Sequence, residues 1–266
     1  MVMEFDCRPL ATLHEFQAAV ALQEQVWGSG FGERVPTSIL KVVGQRLGGV
    51  ASGAFTDTGQ LVGLVFGITG PERGVPVHWS DMLAVHPEFR GRGIGRALKL
   101  HQREQVHALG VRTMYWTVDP LEPGNAHLNL NVLGATGVEY HEDFYGTSHS
   151  TLHGGLPTDR LVLSWEWDES LVVLRHAPPA AAGAAVTLLH AIPSDATQPG
   201  PVPQLSADTR LGLHAGAMAR IAIPARRPTR SGLPAGYGLT WRHAVRQVLG
   251  GLLGDRRGHE TVQREH

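Results

Sequence analysis

The first 146 residues predict an α/β fold, more closely α+β, built on a mixed sheet with helices on both faces. Three observations predict it. Strand-like and helix-like segments follow in the order β, α, α, β, β, β, α, β, α, β. Turn signals of the right kind separate them. A glycine-rich stretch, Arg90 to Gly95, joins an alternating strand to a helix.

The elements can be justified in turn. A short strand near Phe5 to Arg8 precedes a helix announced by the capping box Thr12-Leu13-His14-Glu15, with Leu13, Phe16, Val20 and Trp27 as its expected apolar stripe. A second helix runs from Thr37, with Ile39, Leu40, Val43 and Leu47 expected inward and Gly48 as its stop. Val50 to Phe55 and Leu61 to Ile68 flank the turn Asp57-Thr58-Gly59, a hairpin signal. Val77 to Val85 reads as the next strand, and the helix after the glycines reaches about Leu109, where Gly110 ends it. Arg112 to Val118 reads as a buried strand, Asn125 to Leu133 as a helix, and Gly137 to Tyr145 as a last strand.

The remainder carries weaker patterning. Leu161 to Trp167, Val186 to Ile192 and Ala219 to Ile223 read as strands, and Tyr237 to Leu253 has helical spacing through Leu239, Ala244, Val248 and Leu252. The Ala/Pro-rich stretches Ala177 to Ala185 and Pro193 to Gln204 have the composition of surface crossings, and the tail from Asp255 is charged. The expected organisation is a first domain over 1–150 and a C-terminal extension over 151–266 that packs on it.

Composition narrows the function. Lys plus Arg, 23, nearly cancels Asp plus Glu, 24, so the basic excess that neutralises phosphates in nucleic-acid binders is missing. The single cysteine, Cys7, cannot form an intramolecular disulfide and reads as a small apolar strand residue. The start MVMEFDCRPL lacks a secretory pattern, and no uncharged apolar run reaches the length of a bilayer span. A cytoplasmic protein without nucleic-acid or membrane partners is expected, and a homodimer stays open.

The chemistry concentrates in Leu83-Ala84-Val85-His86-Pro87-Glu88-Phe89-Arg90-Gly91-Arg92-Gly93-Ile94-Gly95-Arg96. Three glycines let the backbone bend and present consecutive N–H groups, and a helix starting at about Gly93 aims its unpaired N–H groups the same way. Such a nest suits a pyrophosphate, and Arg90, Arg92 and Arg96 add guanidinium forks around it. A dinucleotide turn could use Gly91-x-Gly93 with Asp119 as the ribose acid. However, its third glycine position is Arg96, and five residues separate strand from first glycine. The sequence has no Gly-Lys-Ser/Thr for a triphosphate loop. The plainest alternative is a turn that merely joins strand to helix, and the three arginines and the element order weigh against it.

Arg90-x-x-Gly93-x-Gly95 resembles the Arg/Gln-x-x-Gly-x-Gly/Ala signature of the GCN5-related N-acetyltransferases (GNAT), and the resemblance in element order covers roughly residues 4 to 146. It implies a mostly antiparallel sheet whose fourth and fifth strands splay apart, here Val77 to Val85 and Arg112 to Val118. Acyl-coenzyme A would pair its pantetheine with the fourth strand around Leu83 and Val85. Its pyrophosphate would lie on Arg90, Gly91, Arg92, Gly93, Gly95 and Arg96, with Asn125 opening the following helix. A narrower resemblance, to larger bacterial predicted acetyltransferases with an extra C-terminal region, rests on several further segments. These are Trp116-Thr117-Val118-Asp119-Pro120-Leu121, Asn125-Ala126, Leu133-Gly134-Ala135, Phe144-Tyr145-Gly146, Gly155-Leu156-Pro157-Thr158-Asp159-Arg160 and Trp241-Arg242.

The implied reaction is transfer of an acetyl group, or another short acyl group such as succinyl, from acyl-CoA to the amine of a small molecule or amino acid. No metal is expected. The attacking amine must first lose a proton, for which Asp81 and Asp119 are the candidate bases. The family's helix tyrosine is missing, because the matching turn reads Asn129-Leu130-Asn131. Tyr145, or failing it Tyr140, is the candidate acid, and strand alternation would put the two on opposite faces. Asp159-Arg160 reads as a structural ion pair. His149-x-x-x-His153 has a metal-like spacing but no third ligand, so loop histidines are the better reading. The alternative function is an acyl-CoA-binding sensor that has lost the acid.

Overall fold

The computed structural model describes residues 5–146, 156–167, 186–192, 201–206, 219–225, 233 and 236–253. The chain divides into two compact units. The first holds the chain through Trp116 together with Ser164–Trp167, and the second holds Thr117–Gly146, Leu156–Leu163 and the described residues from 186 onward. The sequence boundary near residue 150 falls outside the described residues, as do His149, His153, residues 177–185 and the tail from Asp255.

The first unit is built on strands β1 (Phe5–Pro9), β2 (Val50–Thr56), β3 (Leu61–Glu72), β4 (Val75–Val85) and β5 (Thr113–Val118), adjacent in that order. β1 to β4 pair antiparallel, and β5 runs parallel to β4. Helices α1 (Leu13–Trp27) and α2 (Thr37–Arg46) cover one face. There Phe16, Ala19, Leu22, Leu40 and Val43 close over Leu64, Phe66, Met82 and Ala84. Helix α3 (Ile94–Ala108) packs against β2, β3 and β4.

The capping box of α1 forms as read, Thr12 Oγ1 accepting the Glu15 N–H at 3.2 Å and Glu15 accepting the Thr12 N–H at 3.1 Å. The apolar stripes are narrower than expected. Leu13, Ile39 and Leu47 face solvent, because the buried arcs of these helices are centred on Phe16–Ala19–Leu22 and on Leu40–Val43.

In the second unit β6 (Thr136–His141) lies beside the Arg160–Leu163 part of β7 (Arg160–Glu166). A three-stranded sheet is ordered β10 (Ala219–Ile221), β8 (Val186–Ile192), β9 (Val202–Leu205). Helix α5 (Tyr237–Leu253) supplies Tyr237, Trp241, Val245 and Val248 to a core with Leu121, Leu188 and Leu189. β9 corrects the end of the stretch Pro193 to Gln204 read as a crossing, since Val202 to Leu205 pair antiparallel with β8, while residues 193–200 lie outside the described residues. The region expected as a helix from Asn125 is one α-helical turn, α4 (Pro123–Ala126), running into a π-helical turn, His127–Val132. The last strand of the first 146 residues stops at His141, four residues short of Tyr145. Asp143 takes a φ of 47° there and its carboxylate accepts the N–H and Oγ1–H of Thr158, each at 3.1 Å.

Among the described residues no helix is long and apolar enough to cross a membrane. Nor does any cluster of three or more His, Cys, Asp or Glu side chains among them have the arrangement of a metal site.

Candidate functional site

β4 and β5 pair only at His78 with Met114 and Trp79 with Tyr115. Beyond Trp79 the ladder between them ends, so the β5-facing edge of β4 from Ser80 to Val85 is not bonded to β5. β4 is also bulged there. Phe66 pairs with Met82 and Ile68 with Trp79, so two residues, Ser80 and Asp81, stand opposite the single residue Gly67. The extra residue re-aims the backbone groups that follow it. Asp81 is exposed at this bulge, yet desolvation raises its carboxyl pKa from the ordinary value against a hydrogen bond donated by Trp79. Leu83 and Val85 follow, paired with Val65 and Gly63.

The chain then turns through a 3₁₀ segment, Pro87–Phe89, into Gly91 and Gly93, with φ of 76° and 82°. These left-handed conformations are open to glycine and strained for most other residues. Arg90 Nε donates to the Val85 carbonyl at 3.2 Å, and an Arg92 guanidinium N–H donates to the Glu88 carbonyl at 3.1 Å. These two bonds fasten the loop to the strand end. Gly93 caps α3 with no side chain accepting its first N–H groups, so those donors remain for water or a ligand. A Cβ built on Gly91 or Gly93 would meet nothing within 4 Å. The space over the nest is therefore open, and a pyrophosphate lying on those N–H groups would occupy it, with Arg96 exposed on the first turn of α3.

Beneath the bulge lies a chain of polar side chains that sequence reasoning missed, buried except at its Thr69 end. Lys99, 2% exposed, donates to Ser80 Oγ at 2.7 Å, and Ser80 donates to Gln102 Oε1 at 2.8 Å. Gln102 Nε2 lies 3.0 Å from His78 Nε2, and His78 Nδ1 lies 2.9 Å from Thr69 Oγ1, whose proton goes to the Gly48 carbonyl at 2.7 Å. The proton order follows from these partners. The Thr69 hydroxyl is spent on Gly48, so His78 Nδ1 must donate; the Gln102 amide nitrogen can only donate, so His78 Nε2 must accept. His78 is thereby fixed as the neutral Nδ1–H tautomer, and burial first, then the nearby Lys99, brings its pKa down to about 3. The Lys99 amine also lies 3.8 Å over the Trp116 ring and 3.9 Å from Met114 Sδ. Burial drives its pKa well below the ordinary lysine value. The sequence signal was Gln102, a polar residue at helical spacing within the stripe Ile94, Leu98, Val106.

The other predicted residues belong to the second unit. Asp119 accepts the Leu121 N–H at 2.9 Å, which shapes a turn, and receives Arg242 through two bonds of 2.9 and 2.7 Å. Tyr140 is buried and donates to Asp159 Oδ2 at 2.6 Å; burial and then this carboxylate raise its pKa above the ordinary phenol value. Tyr145 is 38% exposed, with its hydroxyl 3.0 Å from Thr117 Oγ1 and the Arg160 guanidinium 5.0 Å from its ring centroid. Asn125 sits in α4, its carbonyl accepting Asn129 Nδ2 at 2.8 Å.

Asp159 and Arg160 do not pair through their side chains. Fully buried Asp159 takes Arg246 through two bonds of 2.9 and 2.6 Å, and Arg160 donates to the Asp159 main-chain carbonyl at 2.9 Å. Between the end of β6 and one face of α5 lies an open cleft of about 660 Å³ lined by Tyr140, His141, Glu142, His243, Arg246 and Gln247.

The model of the acetyltransferase (GNAT) family matches residues 44–129, which span β2 through α4 and include the loop and the bulged strand. No curated protein matches the chain in sequence. A candidate acetyltransferase from Acinetobacter baylyi ADP1 superposes with a TM-score of 0.50 at 14% identity, over 64% of this chain and 95% of its own. A candidate phosphinothricin N-acetyltransferase does so with a TM-score of 0.50 at 16% identity, over 62% and 100%. Both likenesses are of fold. A candidate acetyltransferase from Salmonella typhimurium, solved with its cofactor acetyl-CoA, gives a TM-score of 0.48 at 19% identity over 67% and 99%.

Proposed function

Because residues 44–129 are a domain of the acetyltransferase (GNAT) family, we propose that the protein is a CoA-dependent N-acyltransferase acting on the amine of a small molecule or amino acid. The observation that carries the reading is the opening of the β4–β5 ladder after Trp79 directly before a loop of left-handed glycines that heads α3. Acetyl is the first acyl group to test and succinyl the second.

In this reading pantetheine runs along the free edge of β4 at Leu83 and Val85, and the pyrophosphate is held by the N–H groups of Gly91, Gly93 and Gly95 with Arg90, Arg92 and Arg96 around it. The amine gives up its proton, its nitrogen bonds to the thioester carbon, and the carbon–sulfur bond breaks. The thiolate then takes a proton. Asp81 is the favoured base, since it stands on the bulge of β4 and its raised pKa makes it a stronger proton acceptor than an ordinary carboxylate. The two bonds that hold Asp119 to Arg242 disfavour it for that role. Tyr145 is preferred to Tyr140 as the acid, because the Tyr140 hydroxyl is already donated to a carboxylate.

The test is release of free CoA from acetyl-CoA and succinyl-CoA against panels of amines and amino acids. Turnover with an acceptor supports the enzyme. CoA binding without turnover for any acceptor would overturn it in favour of a sensor.

A further inference from the structure

We infer that Lys99 and Ser80 are positioning residues for acyl transfer, holding the β4 bulge in the one shape that presents its edge to the thioester. The inference rests on the acyltransferase reading above and adds to it two residues that touch neither phosphate nor acceptor.

The starting point is how improbable Lys99 is. A lysine with 2% exposure and no carboxylate among its described contacts is a costly residue, and an apolar side chain of the same length would pack there at lower cost. What it does in return is local. Its amine reaches Ser80, the first of the two residues that oppose Gly67, and Ser80 passes its own proton to Gln102. The hydroxyl is thus fixed from both sides, as acceptor from α3 at Lys99 and donor to α3 at Gln102. Since Lys99 and Gln102 lie three residues apart on one helix face, the bulge is tied at two points to a rigid element. The same helix carries the glycine nest at its start, so α3 registers the phosphate end of the site against the bulge.

Gly67 completes the fitting. A Cβ there would stand 2.2 Å from His78 Nε2, 2.6 Å from the Trp79 carbonyl and 2.8 Å from Gln102 Nε2. The residue opposite the bulge must lack a side chain because the polar chain occupies that space. A bulge held only by backbone pairing could relax or slip, whereas this one has a side-chain lock in which each hydrogen bond has an assigned donor and acceptor. Backbone donors stabilise developing charge in proportion to how firmly they are held before reaction. The lock therefore acts on the chemical step and not on the binding of CoA, which the loop from Arg90 to Arg96 provides.

The experiment compares Lys99→Met, which keeps the bulk, with Ser80→Ala and Ser80→Thr, using acetyl-CoA and an acceptor turned over by the parent. Expected are a fall in kcat of about tenfold or more for Lys99→Met and Ser80→Ala and acetyl-CoA affinity within about threefold of the parent. Recovery toward parental kcat is expected in Ser80→Thr, which keeps the hydroxyl. Amide exchange at Ser80 and Asp81 should quicken in the two damaged variants.

Parental kcat in folded Lys99→Met or Ser80→Ala would overturn the inference, as would equal losses of kcat and acetyl-CoA affinity, which mark a general loosening. If Lys99→Met does not fold, the Ser80 pair alone decides. A parent that binds CoA but turns over no acceptor refutes the enzyme reading, and the inference with it. Parental turnover with unaffected variants refutes the inference alone.

Discussion

The two units bury polar groups in opposite ways. In the first, Lys99, Ser80, Gln102, His78 and Thr69 form a chain of one-directional hydrogen bonds that contains no carboxylate. In the second, two ion pairs each bury one partner, Arg242 with Asp119 and Asp159 with Arg246, and Asp159 also accepts from Tyr140. A donor-ordered chain fixes geometry to one arrangement, which suits a site where backbone must be aimed. Ion pairs join distant parts of a chain: Arg242 and Asp119 are 123 residues apart, and Arg246 and Asp159 are 87 apart. They anchor α5 to the turn after β5 and to the residue that precedes β7.

Glycine usage breaks along the same line, and it gives the largest expected effect. Gly67→Val in the first unit should prevent folding or cost about 3 kcal/mol or more, because backbone and a hydrogen-bonded histidine stand where the side chain would go. Thermal unfolding measures it, and a Gly67→Val protein that melts like the parent would show that the polar chain yields readily.

Removing one partner of a buried ion pair comes next. Asp159→Asn should destabilise by about 1–3 kcal/mol, since it takes the charge from a fully buried carboxylate that accepts two bonds from Arg246 and one from Tyr140, while Arg246 keeps Glu142. Hydrogen exchange should place the loss at α5 and β6 and leave α3 protected.

Acid should separate the units by pH window. The folded-state pKa of His78 is lowered, from 6.5 to about 3, so the unfolded chain binds the proton first. Its contribution is complete above pH 6.5 and is lost as pH falls toward 3, at roughly 1.4 kcal/mol per pH unit. Lys99 acts with the same sign over a higher range, because its folded pKa is also depressed. The folded pKa of Asp159 is lowered from 3.8: burial opposes this, but Arg246 and Tyr140 outweigh it. Its contribution therefore holds above about pH 4 and is lost only below that. Exchange measured at pH 7 and pH 5 should show β4 and α3 loosening while α5 stays protected, and His78→Gln should flatten the slope of the first unit.

The smallest effect is a gain. Gly251 lies inside α5 with nothing within 4 Å of a built Cβ, so Gly251→Ala should stabilise the protein by roughly 0.5–1 kcal/mol. A loss on melting would mean that the glycine has a packing role.

Much of the first unit was legible in the sequence, because its elements carry local signals: the Thr12 capping box, the Asp57 to Gly59 turn and the glycines before α3. The glycine nest itself was readable for the same reason. The bulge was not, since Ser80 and Asp81 look like ordinary alternation in a strand and only pairing with Gly67 reveals the extra residue. Lys99 was hidden because a lysine on an amphipathic helix normally marks the solvent face. In the second unit Tyr145 was placed on a strand that ends at His141, because the left-handed Asp143 that stops it is not a glycine. β9 was missed because Pro203 gives its four residues the look of a loop.

The measurement that bears most directly on function is calorimetric binding of CoA to the parent and to Gly93→Val. Gly93 has a φ of 82° and open space before its Cβ position, so a branched side chain both strains the loop and fills the glycine nest. CoA should bind the parent, and a folded Gly93→Val protein should bind it at least about tenfold more weakly. Equal affinity in the two folded proteins would contradict the assignment of this loop as the CoA site.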